Sequence, residues 1–293
     1  METEGARARR GAWSRAGLSE RLLRRAAGWS RAAAVIFAVL GACGLVGRVL
    51  GGEGAAAGGE GPAQRWLPGA AVGGGRRVAL LVGVGKHARH AAWDLPWVKV
   101  DVEVLGAALL KDAGFSKVDR LLDAEVSKAA IETALGKLVK ELSGEDNLVV
   151  VFWSGHGYVD ARGEPRYFLA HTDVGAGGQY ENTISESELA EVFTAVRRSG
   201  KARVVFVADA CRVEVMAPAR GVPRVVSLAD AALYSTKRGE YAQAAEGQKR
   251  SAFVESVDRA LARLGTKSSA TLGELVDSVR EDMKERGVGQ VPE

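Results

Sequence analysis

Two short strings in this chain hold side chains able to break an acyl bond. Ser154-Gly155-His156-Gly157 presents an imidazole between two glycines, and Asp209-Ala210-Cys211-Arg212 presents a thiol. A thiolate attacks a carbonyl carbon while a neighbouring imidazole carries the protons, so a Cys and a His brought together form a nucleophilic dyad. The flanking glycines let the backbone bend sharply and approach a substrate. Backbone N–H groups of Gly157 and Cys211 would then polarise the developing oxyanion. Each string alone has a plainer explanation: a lone Cys after a strand is commonly inert core, and a lone His between glycines is commonly a loop residue. Position raises both above that. Each directly follows an apolar run of buried-strand type, NLVVVFW at 147–153 and RVVFVA at 203–208. In open α/β sheets functional groups gather just past the carboxyl ends of the strands.

The elements that must carry these strings alternate along the chain from Arg76 onward. Val78–Val84 reads as a strand buried on both faces, and Val98–Leu110 has apolar residues at helical spacing. Val118–Leu122 is a further short strand. Ser127 caps a helix running to about Leu142, with Ile131, Leu135, Leu138 and Leu142 on one face. Tyr167–Ala170 is a shorter strand. Ser185–Arg198 is helical, with Ser185 and Glu188 spaced as a capping box. Helices are also expected over Ala252–Leu264 and Leu272–Arg286. This order predicts an α/β domain with a mainly parallel sheet and helices on both faces.

At this level of detail the sequence resembles caspase-type peptidases, particularly the metacaspases and their bacterial relatives. The likeness rests on RRVALLVGVGKH, then Leu95 and Asp101, then AGF, DNLVVVFWSGHG and VVFVADACR, and it continues through Arg238-Gly239-Glu240-Tyr241-Ala242 and Arg250-Ser251-Ala252-Phe253. It implies a caspase-haemoglobinase-like three-layer sandwich and a cysteine endopeptidase, with His156 as catalytic histidine and Cys211 as nucleophile. It also implies that Asp101, six residues after Leu95, and Asp209, two before the nucleophile, line a pocket for Arg or Lys before the scissile bond. A pair of carboxylates suits a guanidinium or ammonium on chemical grounds as well. The plainer roles are a helix-face acid for Asp101 and a strand-end structural acid for Asp209. Two departures bear on pocket shape: Arg212-Val213-Glu214 follow the nucleophile where small residues are usual, and Pro96-Trp97 follow Leu95 where Gly-Cys is usual. Some metacaspases need calcium, but no acidic loop here has ligand spacing. His87, His90 and His171 are not spaced as a metal set, so neither metal nor cofactor is expected.

Ahead of the domain the composition changes three times. Residues 1–31 hold Arg7, Arg9, Arg10, Arg15, Arg21, Arg24, Arg25 and Arg31 against Glu2, Glu4 and Glu20, and read as a disordered basic arm. The whole chain has a formal charge of +4; without the arm it is nearly neutral, so no nucleic-acid partner is expected. Residues 32–50 form an apolar segment whose extent from Trp29 to Leu50 reaches about 33 Å as a helix, close to a bilayer's hydrocarbon thickness. The basic side would hold the N-terminus in the cytoplasm and put the peptidase domain across the membrane. A cleaved signal leading to secretion is an alternative, as is a lipoprotein: Leu40-Gly41-Ala42-Cys43 looks like a lipobox that would lipidate Cys43. Residues 51–75 are a Gly-rich linker, which leaves 76–293 as the caspase-like domain.

Three functions compete on this reading. One is an endopeptidase cleaving peptides or proteins after Arg or Lys. Another is a membrane-tethered signalling or binding module with little proteolytic activity. The last is a related peptidase of legumain-like or gingipain-like preference. Basic stretches near Arg220 and Arg224 and at Lys249-Arg250 are candidate processing points, equally explained as solvated charge. A serine-hydrolase elbow and a Walker loop are both absent from the sequence.

Overall fold

A computed structural model describes residues 75–144, 146–176, 178–199, 202–213, 228–242, 249–266 and 270–293. The basic arm, the apolar segment with Cys43, the linker to residue 74, and Arg220 and Arg224 lie outside the described residues. Among the described residues no helix is long and apolar enough to cross a membrane.

Five parallel strands form the central sheet, in the order β2-β1-β3-β7-β8. They are β1 (Arg77–Gly83), β2 (Lys117–Leu122), β3 (Asn147–Ser154), β7 (Ala202–Asp209) and β8 (Ala231–Tyr234). Side chains alternate across a strand, so each strand feeds two cores. Ala79, Leu81, Val150, Phe152, Val205 and Val207 pack on one face with α1 (Val98–Asp112), α4 (Ala252–Leu264) and α5 (Leu272–Glu285). Leu80, Val82, Val151, Trp153, Val204 and Phe206 face the other way, against α2 (Lys128–Lys140) and α3 (Glu186–Arg198). The result is three layers, helix–sheet–helix. All of β3 is buried, which explains why it reads as an unbroken apolar run rather than an alternating one. Truncating Phe152 in β3 or the equally buried Phe206 in β7 would cost about 3–5 kcal/mol.

Helix starts follow the expected chemistry. Ser127 caps α2 by accepting the Ala130 N–H, and Ser185 with Glu188 closes a full capping box on α3. Ser251 caps α4 through the Val254 N–H. The elements expected from Arg76 onward are all present. Four strands add to or extend them: β5 (Pro165–Val174) is longer than Tyr167–Ala170, and β4 (Gly157–Val159), β6 (Tyr180–Ser185) and β8 went unpredicted. β4, β5 and β6 form a separate antiparallel sheet. β4 is only GYV and β6, YENTIS, is mostly polar, so no apolar period marks either.

Candidate active site

The register of the central sheet sets the distance between the two reactive strings. Ser154, the last residue of β3, pairs with Asp209, the last of β7. The Gly155 N–H donates to the Asp209 carbonyl at 3.2 Å, holding the two strand ends together after the ladder stops. His156 and Cys211 therefore each lie two residues past a matched pair. Both are half-buried and line one cleft of about 250 Å³, together with Asp209, Leu95, Trp97 and Ser251.

Gly157 sits hard against the nucleophile's backbone. A Cβ built there would lie 2.7 Å from the Cys211 carbonyl oxygen and 3.0 Å from the Ala210 Cβ. Only glycine fits without displacing that segment.

The imidazole is oriented by a residue on another loop. His156 Nε2 lies 2.8 Å from the Trp93 carbonyl oxygen. A carbonyl only accepts, so Nε2 carries the proton and Nδ1 keeps its lone pair. The Trp93 loop is itself pinned. Asp123, at φ 50° just after β2, accepts the N–H groups of Gly85 and Lys86 through Oδ1 at 2.8 and 2.9 Å. Asp94 accepts the His87 N–H at 2.8 Å, and the Leu95 N–H returns to the Gly85 carbonyl at 2.8 Å. His87, Trp93 and Phe168 then wall the imidazole, with ring centroids of His87 and Phe168 at 5.4 and 5.5 Å from that of His156.

Burial pushes the His156 imidazole below its ordinary basicity, and the hydrogen bond to Trp93 offsets part of that. Burial likewise pushes the Cys211 thiol up; a backbone hydrogen bond from Ala242 opposes the shift and the Asp209 carboxylate adds to it. Both shifts favour the neutral forms, thiol for Cys211 and imidazole for His156.

The two acids take unequal positions. Asp209 is on the cleft wall and is 6% exposed. Asp101, in the first turn of α1, is fully buried, and its two oxygens accept the Ser251 N–H at 3.0 and 3.3 Å. Asp101 therefore reaches the cleft through Ser251, beside Asp209 rather than as a second open wall.

Arg212, the large residue after the nucleophile, turns out of the cleft. Its guanidinium lies 3.9 Å from the Tyr234 ring centroid and donates to Glu293 at 2.7 Å. Its N–H donates to the Glu240 carbonyl at 3.0 Å. The unusual Pro96-Trp97 has the opposite fate, since Trp97 forms part of the cleft wall. His87 and His90 do lie in a loop, as expected, and that loop orients His156; His171, expected in a loop as well, lies instead in β5. Among the described residues no group of His, Cys, Asp or Glu is placed to hold a metal.

The family of the caspase domain matches residues 76–293. The chain belongs to the caspase family of cysteine peptidases. The caspase domain's fold is similar to that of caspase-1 from Spodoptera frugiperda, at 17% identity and a TM-score of 0.52, over 74% of this chain and 86% of that one. None of the curated proteins compared with the chain matches it. Family membership makes the domain a cysteine peptidase in general terms, acting on peptides or proteins. Three features of its site carried no legible signal in the sequence: the Trp93 carbonyl, the Asp123 anchor and the Ser251 bridge. The first is backbone, and the other two act through contacts 38 and 150 residues away.

Proposed function

We propose that this chain is a metacaspase-like endopeptidase that cleaves after Arg or Lys with a His156/Cys211 dyad. One observation carries the reading: His156, Cys211 and Asp209 share one cleft at the matched carboxyl ends of β3 and β7. A substrate's basic side chain enters toward Asp209, which presents its carbonyl carbon to Cys211. The Cys211 Sγ–H proton passes to His156 Nδ1 as Sγ bonds to that carbon, and N–H groups of Gly157 and Cys211 receive the oxyanion. His156 then protonates the leaving amine. Water, deprotonated by His156, cleaves the thioester and restores the thiol.

The apolar segment at 32–50 anchors the enzyme to a membrane, with the basic arm on the cytoplasmic side and the peptidase domain on the other. No cofactor is required.

The test is hydrolysis of paired peptide reporters differing only in Arg, Lys or Asp before the scissile bond. Wild type should cut the Arg and Lys reporters, and Cys211→Ala should lower kcat by at least about 10³-fold. Unchanged cleavage by Cys211→Ala would remove the dyad, whereas a folded wild type inert on all reporters would favour the binding-module reading.

A further inference from the structure

Asp101 and Asp209 are both buried, yet neither makes an ion pair among the described residues. The groups that face them come from every neighbouring element. Ser251 contributes its N–H at the start of α4, and its hydroxyl opposes the effect of burial on Asp209. Cys211 and His156 share the cleft with Asp209. Among the described residues Arg250 is the cation whose charge acts on Asp101, and its guanidinium is held by Asp258 at 2.9 Å.

Two buried carboxylates without a cation do not both stay ionised; one keeps a proton until an opposite charge arrives. We propose that the Asp101–Asp209 pair holds one proton in the free enzyme and releases it to solvent when a substrate's guanidinium or ammonium enters the cleft. The inference rests on the cleft being an Arg/Lys pocket and adds how that pocket balances charge. Free, the pair carries one negative charge; occupied, it carries two negative charges and one positive. The net buried charge is the same in both states, so the pocket avoids holding an uncompensated anion pair at any stage. Asp209 supplies the contact, and Asp101 supplies the second charge from behind.

The direction of titration agrees with this arrangement. Burial, then repulsion from Asp209, raises the Asp101 carboxyl to about 8. Burial raises Asp209 as well. A neutral residue in the same cleft displaces no proton, so coupling to pH distinguishes basic from uncharged ligands. Affinity for a cation should fall up to about tenfold per unit as pH drops below 8.

The experiment uses the full chain carrying Cys211→Ala, titrated calorimetrically with N-acetyl-arginine amide and with its uncharged analogue N-acetyl-citrulline amide. Runs near pH 7 in phosphate and in Tris, whose ionisation enthalpies differ, count protons released. We expect about one proton per bound arginine amide, none with Asp101→Asn added, and much weaker binding of the citrulline amide. The Asn amide oxygen can still accept the Ser251 N–H, so this variant keeps the contact that starts α4. His156 does not obscure the count, since burial already keeps it neutral near pH 7. Arginine amide binding with no proton release overturns the proposal and leaves the pocket reading standing. Equal binding of the two amides, or binding of neither, overturns the pocket reading and the proposal together.

Discussion

The two ends of the central sheet are built from the same strands but treat their charges oppositely. At the amino ends of β3 and β7 a groove of about 580 Å³ is lined by Asp146, Arg197, Arg203 and Asp230. Two ion pairs sit at this open surface: Arg197 meets Asp230 at 3.3 Å and Arg203 meets Asp146 at 4.0 Å. At the carboxyl ends the cleft is less than half that size, and its acids are buried without a cation. Satisfied charges at a surface contribute little beyond solubility, whereas unsatisfied groups in a buried cleft store binding and reactivity for a ligand.

This contrast can be broken most severely at Asp209. Asp209→Asn should lower kcat/KM for Arg and Lys reporters by about 10²–10³-fold, the scale of losing one partner of a buried pair. Steady-state kinetics would show it. Arg203→Ala at the opposite end should leave kcat/KM within about twofold and stability within about 1 kcal/mol. A comparable loss there would erase the distinction between the ends.

Smaller losses are expected where the cleft is shaped rather than charged. Gly157→Ala forces a methyl against the Cys211 carbonyl, and the overlap should cost about 1–3 kcal/mol and reduce kcat more than stability. Single-turnover rates compared with melting curves would separate the two. Arg212→Ala removes the stack on Tyr234 and the bond to Glu293. It should lower kcat several-fold, and Arg212→Lys should restore little of it, because an ammonium does not stack as a guanidinium does.

The mildest test is pH. Folded Asp101 holds its proton up to about 8 against an ordinary 3.8. The folded state thus binds more protons, and its stability declines as pH rises from about 4 through 8. Asp101→Asn removes that decline, so its melting temperature should gain on wild type by about 5 °C above pH 8 and match it near pH 4. In the same range, kcat should keep an acid limb below the ordinary imidazole value of 6.5, since burial lowers His156. Alkylation of Cys211 by iodoacetamide should accelerate only above the ordinary thiol value of 9.0. A fast, pH-independent alkylation near neutrality would indicate a preformed ion pair instead.

Local chemistry made much of this protein legible in sequence. Long apolar runs such as NLVVVFW can only be strands buried on two faces, and Ser185 with Glu188 can only start a helix efficiently. Once β3 and β7 are recognised as parallel strands, the strings that follow them must meet at one rim, which is why His156 and Cys211 could be paired from spacing alone. Of the small antiparallel sheet only the middle of β5 was legible; β4 and β6 escaped because they lack an apolar period.

What the tertiary structure decided is which groups face which. Nothing in the residues near Trp93 says that its carbonyl fixes the tautomer of an imidazole 63 positions later. Nor does the sequence say that Asp101 lies behind Asp209, bound to the N–H of a serine 150 positions on, or that Arg212 turns toward Tyr234 and away from the cleft. Periodicity reports what a segment does with its own neighbours, because burial and capping act locally. Proton placement and charge balance depend on contacts closed only when α1, α4, β3 and β7 come together, and those are set by packing.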